Sequence, residues 1–260
     1  MSVTVSRAMN SIGTAPPARG FLGGRLYLRQ APGGHRAGTD AVLLAAAAPR
    51  EASGLALDVG AGVGAVGLAL ALFSPRARVG LVEIDPGACE LARENIAANG
   101  LGERVFVHEG DVSSAASRRA AGLAEEQADF VLTNPPYYEA ARVRVSPDEK
   151  KARAHVAKGS LEDWVRACLA LLRPGGTFVM IHRADTLGEC LASVEGRLGA
   201  LAVLPVLPRE GEAATRILLR GKKGSKAPLA LLAPLVLHEA DDRFTPLAEA
   251  IHRGEAGLPW

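Results

Sequence analysis

Residues 129–133 (Asp-Phe-Val-Leu-Thr) read as a short buried strand that runs straight into Asn134, Pro135, Pro136 and Tyr137. Two consecutive prolines fix the backbone and remove two amide donors, so the carbonyls around them are left to accept. The Asn134 side chain adds another carbonyl. Together, that side chain and the Pro135 carbonyl can grip both hydrogens of a planar NH2 group. The grip turns the nitrogen lone pair toward an electrophile and favours the pyramidal geometry in which positive charge develops. No charged base is needed, because the proton leaves after the new bond has formed; catalysis is then a matter of positioning. Tyr137 offers a ring face on which a flipped or unpaired base can stack. The plainer reading is a strand stopped by prolines ahead of a core tyrosine.

The second constellation is Asp58, Val59, Gly60, Ala61, Gly62, Val63 and Gly64. Gly60, Gly62 and Gly64 let the backbone take positive φ and approach a ligand closely. The same spacing, with Glu83 about 20 residues on, also fits the dinucleotide-binding fingerprint, so on this motif alone a dehydrogenase stays open. Asp58 tilts the balance. A pyrophosphate gains nothing from a carboxylate there, whereas S-adenosylmethionine carries a sulfonium and an ammonium that a carboxylate stabilises. A turn or helix-start residue is the structural alternative for Asp58. Glu83 has two acceptor oxygens suited to both hydroxyls of a ribose. Asp85 competes with it, but reads as the cap of a helix that begins at Pro86. Asp111 can accept from the adenine amino group of the cofactor, or simply close a turn.

These residues need a scaffold that brings them to one edge. From residue 55 onward, strand and helix signals alternate: strands at 55–59, 78–83, 104–108, 129–133 and 177–182, helices at 65–73, 86–99, 113–124 and 160–172. Such alternation predicts a parallel sheet covered on both faces, a three-layer α/β sandwich. Ligands in such sheets sit beyond the carboxyl ends of the strands, where Gly60, Glu83, Asp111 and Asn134 all fall. The helix at 160–172 has an apolar face containing Leu161, Trp164, Val165, Cys168, Leu169 and Leu172, a Ser160–Asp163 capping box, and glycines after its end. Ahead of the sheet, residues 21–30 alternate as a short strand or hairpin, and 40–48 form a short helix capped by Thr39 or Asp40. Residues 1–20 lack apolar periodicity and are expected to form a loose arm. The division expected is one domain over 21–260, with an N-terminal lid segment (21–50), a core (51–220) and a C-terminal extension (221–260).

Bulk properties narrow the class. The 260 residues are 48% hydrophobic and 22% charged, with a formal net charge of +2. That is ordinary for a globular protein with a sizeable core, and too near neutral for a nucleic-acid coat. Cys89, Cys168 and Cys190 are odd in number and far apart, which supports neither a disulfide framework nor a metal site. No apolar run approaches the roughly 20 residues that span a bilayer. Residues 1–20 lack the apolar stretch of a signal peptide, so none is expected there. A cytoplasmic protein is expected.

With both motifs in view, the chain resembles the class I S-adenosylmethionine-dependent methyltransferases that carry an Asn-Pro-Pro-Tyr signature. It looks most like the bacterial tRNA adenine-N6 methyltransferases that modify valine tRNA beside its anticodon. That second likeness rests on residues 34–44 (Gly-His-Arg-Ala-Gly-Thr-Asp-Ala-Val-Leu-Leu) and 134–138, and covers roughly residues 21–220. It implies a Rossmann-like fold with a seven-stranded, mostly parallel sheet whose last strands, near 202–208 and 215–220, include an antiparallel one. It also implies an RNA partner, adenine N6 as the acceptor, and a place for Thr39 and Asp40 over the methionine end of the cofactor.

Phosphate contacts are sought in two basic stretches. One is the long connection after Tyr138, with Arg142, Arg144, Lys150 and Lys151; the other is 220–226, read as a loop, with Lys222 and Lys223. Arg183 stands at the end of the fifth core strand. Rival acceptors are a protein glutamine, a DNA adenine, a guanine amino group, or an oxygen on a small molecule, the last of which wants a base or metal in place of Asn134. A non-catalytic RNA- or protein-binding module on a degenerate fold is the rival from another class.

Overall fold

The computed structural model describes residues 19–31, 37–48, 50–136 and 159–260. Strands β1 (Arg19–Phe21) and β2 (Leu26–Leu28) form an antiparallel hairpin, followed by α1 (Thr39–Ala46). Then come β3 (Gly54–Val59), α2 (Ala65–Phe73), β4 (Ala77–Glu83), α3 (Pro86–Ala98), β5 (Val105–Glu109), α4 (Ala115–Ala120) and β6 (Ala128–Thr133). After the undescribed stretch follow α5 (Leu161–Leu171), β7 (Leu172–Arg183), α6 (Leu187–Val194), β8 (Leu198–Arg209), β9 (Arg216–Lys223), β10 (Ala230–Leu231), β11 (Leu235–His238) and α7 (Pro246–His252).

The main sheet runs β10-β8-β9-β7-β6-β3-β4-β5, with β11 also pairing with β8. Its seven principal strands are the Rossmann-like arrangement expected, and β9 is the antiparallel member, set between β7 and β8. The two short strands from the C-terminal segment bring the total to nine. Pro228 and Pro234 flank them, which is how edge pairing escaped the sequence reading.

Alternation along each strand divides the core into two layers. Ala56, Val79, Leu81, Leu132 and Val179 face the side packed by α1 and α2. Leu57, Val59, Val131, Phe178 and Met180 face α5 and α6. Helix packing on both faces explains why β3 reads as an almost unbroken apolar run: a central parallel strand has no wet side.

Helix ends follow their caps. Asp85 caps α3 by accepting from the Ala88 amide at 2.7 Å. The reciprocal Ser160–Asp163 box opens α5. Three expectations are corrected. The N-cap of α1 is Gly38, with no side-chain bond. The helix expected at 113–124 contracts to Ala115–Ala120, because Ser114 caps it and Gly122, at φ +77°, ends it, with the Leu123 amide bonding back to Arg118 O at 2.9 Å. Residues 220–223 are strand, not loop. Gly221 lies inside β9, where a Cβ would come within 2.7 Å of Leu201, and the turn falls at Gly224, φ +76°.

The hairpin is tied to α3 by two asparagines one turn apart. Asn99 Oδ1 accepts from the Tyr27 amide at 2.9 Å, and its Nδ2 donates to Tyr27 O at 2.8 Å. Asn95 does the same for Arg29, at 2.7 and 3.0 Å, and its Nδ2 also reaches Val63 O, in the glycine turn, at 3.0 Å.

Candidate active site

Parallel register sets the site. Val59 pairs with both Val82 and Thr133, so Gly60, Glu83 and Asn134 are the next residues out of three adjacent strands. Strand order departs in both directions from β3, toward β4 and toward β6. That is the switch point at which such sheets bind ligands. Asp111 stands two residues beyond β5, on the same edge.

The turn after β3 carries Gly60 at φ +75°, Gly62 at +54° and Gly64 at +87°. Positive φ is costly for other residues. At Gly64 a Cβ would also strike Leu81 at 2.8 Å, whereas at Gly62 nothing lies within 4 Å, so that face of the turn is open. Glu83 governs the turn: Oε2 accepts from the Gly62 amide at 2.7 Å, and Oε1 accepts from the Ile84 and Asp85 amides at 2.9 Å each. Three amides thus fix the carboxylate at the strand end.

Asp58 lies beneath the turn, 3% exposed, with Oδ2 accepting from the Gly67 amide at 2.9 Å. Burial pushes its pKa up to about 7; the Gly67 hydrogen bond pulls the other way and the Glu83 charge adds to the rise. The proton is therefore held more tightly in the folded than in the unfolded chain. Asp58's contribution to stability falls as pH rises from the ordinary carboxylate range toward 7. A cationic cofactor favours the ionised form. Its affinity should rise with pH through about 7, ending roughly tenfold tighter at pH 8 than at pH 6. Calorimetric titration of S-adenosylmethionine checks this; a flat profile, or one unchanged in Asp58→Asn, contradicts it.

At Asp111, Oδ1 accepts from the Ser113 amide at 2.8 Å and hydroxyl at 2.6 Å. The cofactor contact expected of it would fall to Oδ2. Asn134 is half-buried and Pro135 buried. The Asn134 main-chain carbonyl lies 4.0 Å from where a Cβ on Gly60 would sit, which puts the acceptor motif beside the glycine turn. Tyr137, Arg142, Arg144, Lys150 and Lys151 lie outside the described residues.

Sequence reasoning missed Trp164 and Thr133. The Trp164 indole N–H donates to Thr133 Oγ1 at 2.9 Å, and the Thr133 hydroxyl donates to Val59 O at 2.8 Å. The ring closes over Gly60, 3.1 Å from a Cβ placed there. An indole N–H on an otherwise apolar helix face was the available signal, since a buried Trp needs an acceptor.

Other expected residues fare differently. Asp40 Oδ2 accepts from Arg216 Nε at 2.9 Å, and Thr39 Oγ1 lies 3.3 Å from His252 Nε2. Both tie the start of α1 to later elements. Arg183, paired across the sheet with Arg216 at the site edge, bonds Asp185 through Nε at 2.9 Å. Lys222 and Lys223, expected as phosphate contacts, lie at the far end of β9 from the switch-point edge. Because β9 runs antiparallel, they lie opposite the start of β7, with Lys222 beside Thr177. That is about 20 Å from the Arg216 end of the strand. Lys223 Nζ is also engaged, donating to Leu172 O at 2.7 Å, Leu169 O at 2.9 Å and Glu126 Oε1 at 3.0 Å.

The donor set suits one cofactor. The face at Gly62 is open, Glu83 Oε2 accepts from one amide only and keeps room for a further donor, and the Asp58 carboxyl lies buried under the turn. Among the described residues no cluster of three metal-ligating side chains occurs, and no helix is long and apolar enough to cross a membrane. The three cysteines are buried and free.

The chain is a methyltransferase dependent on S-adenosylmethionine, built on the fold whose switch point serves that cofactor. It belongs to the methyltransferase small domain family, whose model matches residues 36–186. A tRNA1(Val) (adenine(37)-N6)-methyltransferase of Aeromonas hydrophila is 32% identical over 81% of this chain and 85% of its own. The enzyme of that name from Actinobacillus succinogenes is 29% identical over 87% and 92%. A solved structure from Agrobacterium tumefaciens, protein Atu636, is described as a predicted O-methyltransferase. It superposes with a TM-score of 0.72 at 33% identity, covering 84% of this chain and 98% of that one.

Proposed function

We propose that this enzyme methylates the exocyclic N6 of adenine in tRNA, at the nucleotide beside the anticodon that its relatives are named for. The observation carrying the proposal is the register that sets Asn134 directly beside Gly60. An acceptor held by the first abuts a cofactor held by the second.

In this reading the Asn134 side-chain oxygen accepts one N–H of the amino group and the Pro135 carbonyl accepts the other. Pro135 and Pro136 hold the backbone so that neither carbonyl swings away. Bound S-adenosylmethionine supplies a methyl group made electrophilic by the sulfonium. Asn134 and Pro135 keep the nitrogen lone pair aimed at it and stabilise the positive charge that builds on the acceptor. The extra proton then passes to solvent. Tyr137 is the proposed stacking face for the extruded base. Glu83, Asp58, Asp111, Gly60, Gly62 and Gly64 hold the cofactor, with Thr39 and Asp40 bordering its methionine end. Arg183 is a candidate phosphate contact, as are Arg142, Arg144, Lys150 and Lys151 and, farther along the substrate, Lys222 and Lys223. A cytoplasmic site of action goes with a tRNA substrate.

Oxygen methylation is the reading that the name of the Agrobacterium neighbour suggests. An oxygen acceptor must lose its proton to a base, and neither Asn134 nor the prolines can take one. The deciding experiment incubates the enzyme and labelled S-adenosylmethionine with total RNA, DNA or protein from a strain lacking it. Label recovered as N6-methyladenosine in tRNA is the expected result. Label in DNA, in glutamine or on a small molecule replaces the acceptor named here.

A further inference from the structure

We propose that Trp164 is a positioning residue for methyl transfer, holding the Gly60 turn and the Asn134-Pro135 carbonyls at the spacing that in-line attack requires. The proposal rests on the acceptor-holding role given above to Asn134. A hydrogen-bonded chain crosses three elements at their site-facing ends: the Trp164 indole N–H on α5 donates to Thr133 Oγ1 on β6 at 2.9 Å, and Thr133 donates to Val59 O on β3 at 2.8 Å. Val59 and Thr133 each immediately precede a site residue, Gly60 and Asn134. The indole ring meanwhile blocks the space into which a Cβ on Gly60 would project, at 3.1 Å. Ladder pairing sets the spacing of the two strand ends; the indole braces that pair from α5 and sets how the turn lies against the acceptor motif.

Thr133 is fully buried, and its hydroxyl is held by these two partners with the Cys168 thiol alongside as a third. The Ser160–Asp163 box fixes the first turn of α5, one residue before Trp164, and so fixes where the indole arrives. Of the carboxylates proposed to hold the cofactor, Glu83 ends β4, and Asp58, though next to Val59, turns to Gly67 on α2, on the face of the sheet opposite α5. Loss of the strut should thus loosen the acceptor geometry far more than it weakens cofactor binding. A displacement of about 1 Å between reacting groups costs up to about 100-fold in rate.

The test is Trp164→Phe, which keeps a ring over Gly60 and removes the donor, with Thr133→Val and Thr133→Ser as companions. Each is assayed on whichever acceptor the wild type methylates. Trp164→Phe and Thr133→Val should each lower kcat by about tenfold to 100-fold, leave the S-adenosylmethionine dissociation constant within about threefold, and fail to add when combined. Thr133→Ser, which keeps the hydroxyl, should retain kcat within about twofold. A kcat unchanged in Trp164→Phe, or a loss confined to melting temperature and cofactor affinity, overturns the positioning role. A wild type that transfers no methyl to RNA, DNA or protein overturns the underlying reading instead.

Discussion

Alanine at position 134 should stop methyl transfer while leaving the enzyme folded and able to bind its cofactor. The Asn134 side-chain carbonyl is one of two acceptors proposed to hold the NH2 group. Preorganised partners at the site of developing charge are worth about 10²–10³-fold each. Because the other acceptor, the Pro135 carbonyl, cannot orient the amine alone, a loss of about 10³-fold in kcat is expected. Asn134 is only half-buried and follows a strand whose packing lies elsewhere, so the melting temperature should barely move. Single-turnover rates alongside calorimetry of S-adenosylmethionine separate the two effects. Near wild-type turnover would remove Asn134 from the mechanism.

Replacing Glu83 with alanine should do the reverse, collapsing cofactor affinity first. Its carboxylate ties the Gly62, Ile84 and Asp85 amides into one turn and is the proposed acceptor for the ribose hydroxyls. Hydrogen bonds to a charged group contribute about 1.5–3 kcal/mol each, so losing two implies a rise in dissociation constant of at least about 100-fold. Glu83→Gln, which keeps one carbonyl oxygen of the right shape, should fall between. A dissociation constant within threefold of wild type in Glu83→Ala would mean that the turn, and not this side chain, carries the affinity.

The sheet, and the meeting of Gly60, Glu83 and Asn134 at one edge, could be read from the chain because the signals were local. Glycines after residue 59, Pro86 after the Asp85 cap, and the prolines after Asn134 each end or start an element by their own backbone chemistry. Parallel strands buried on both faces announce themselves as apolar runs. What escaped depended on contacts between segments. Trp164 shares its helix face with Leu161, Val165 and Cys168, and that spacing looks the same whether the ring packs in the core or hangs a hydrogen bond on a neighbouring strand. Lys222 and Lys223 sit among glycines that suggest a turn, yet Gly221 is small because Leu201 needs the room. Their distance from the site follows from the reversed direction of β9, which only the topology reveals. Ala-rich residues after Ser114 favour helix by propensity, and the glycine that cuts the helix short acts one turn earlier than periodicity implied.

Asn95 shows how much a single amide can join. From the inner side of a helix it satisfies the main chain of Arg29 in both directions and also takes up the carbonyl of Val63. The hairpin is therefore coupled to α3 and to the glycine turn through one side chain. Any outward movement of that hairpin would strand a buried amide and slacken the glycine turn at once.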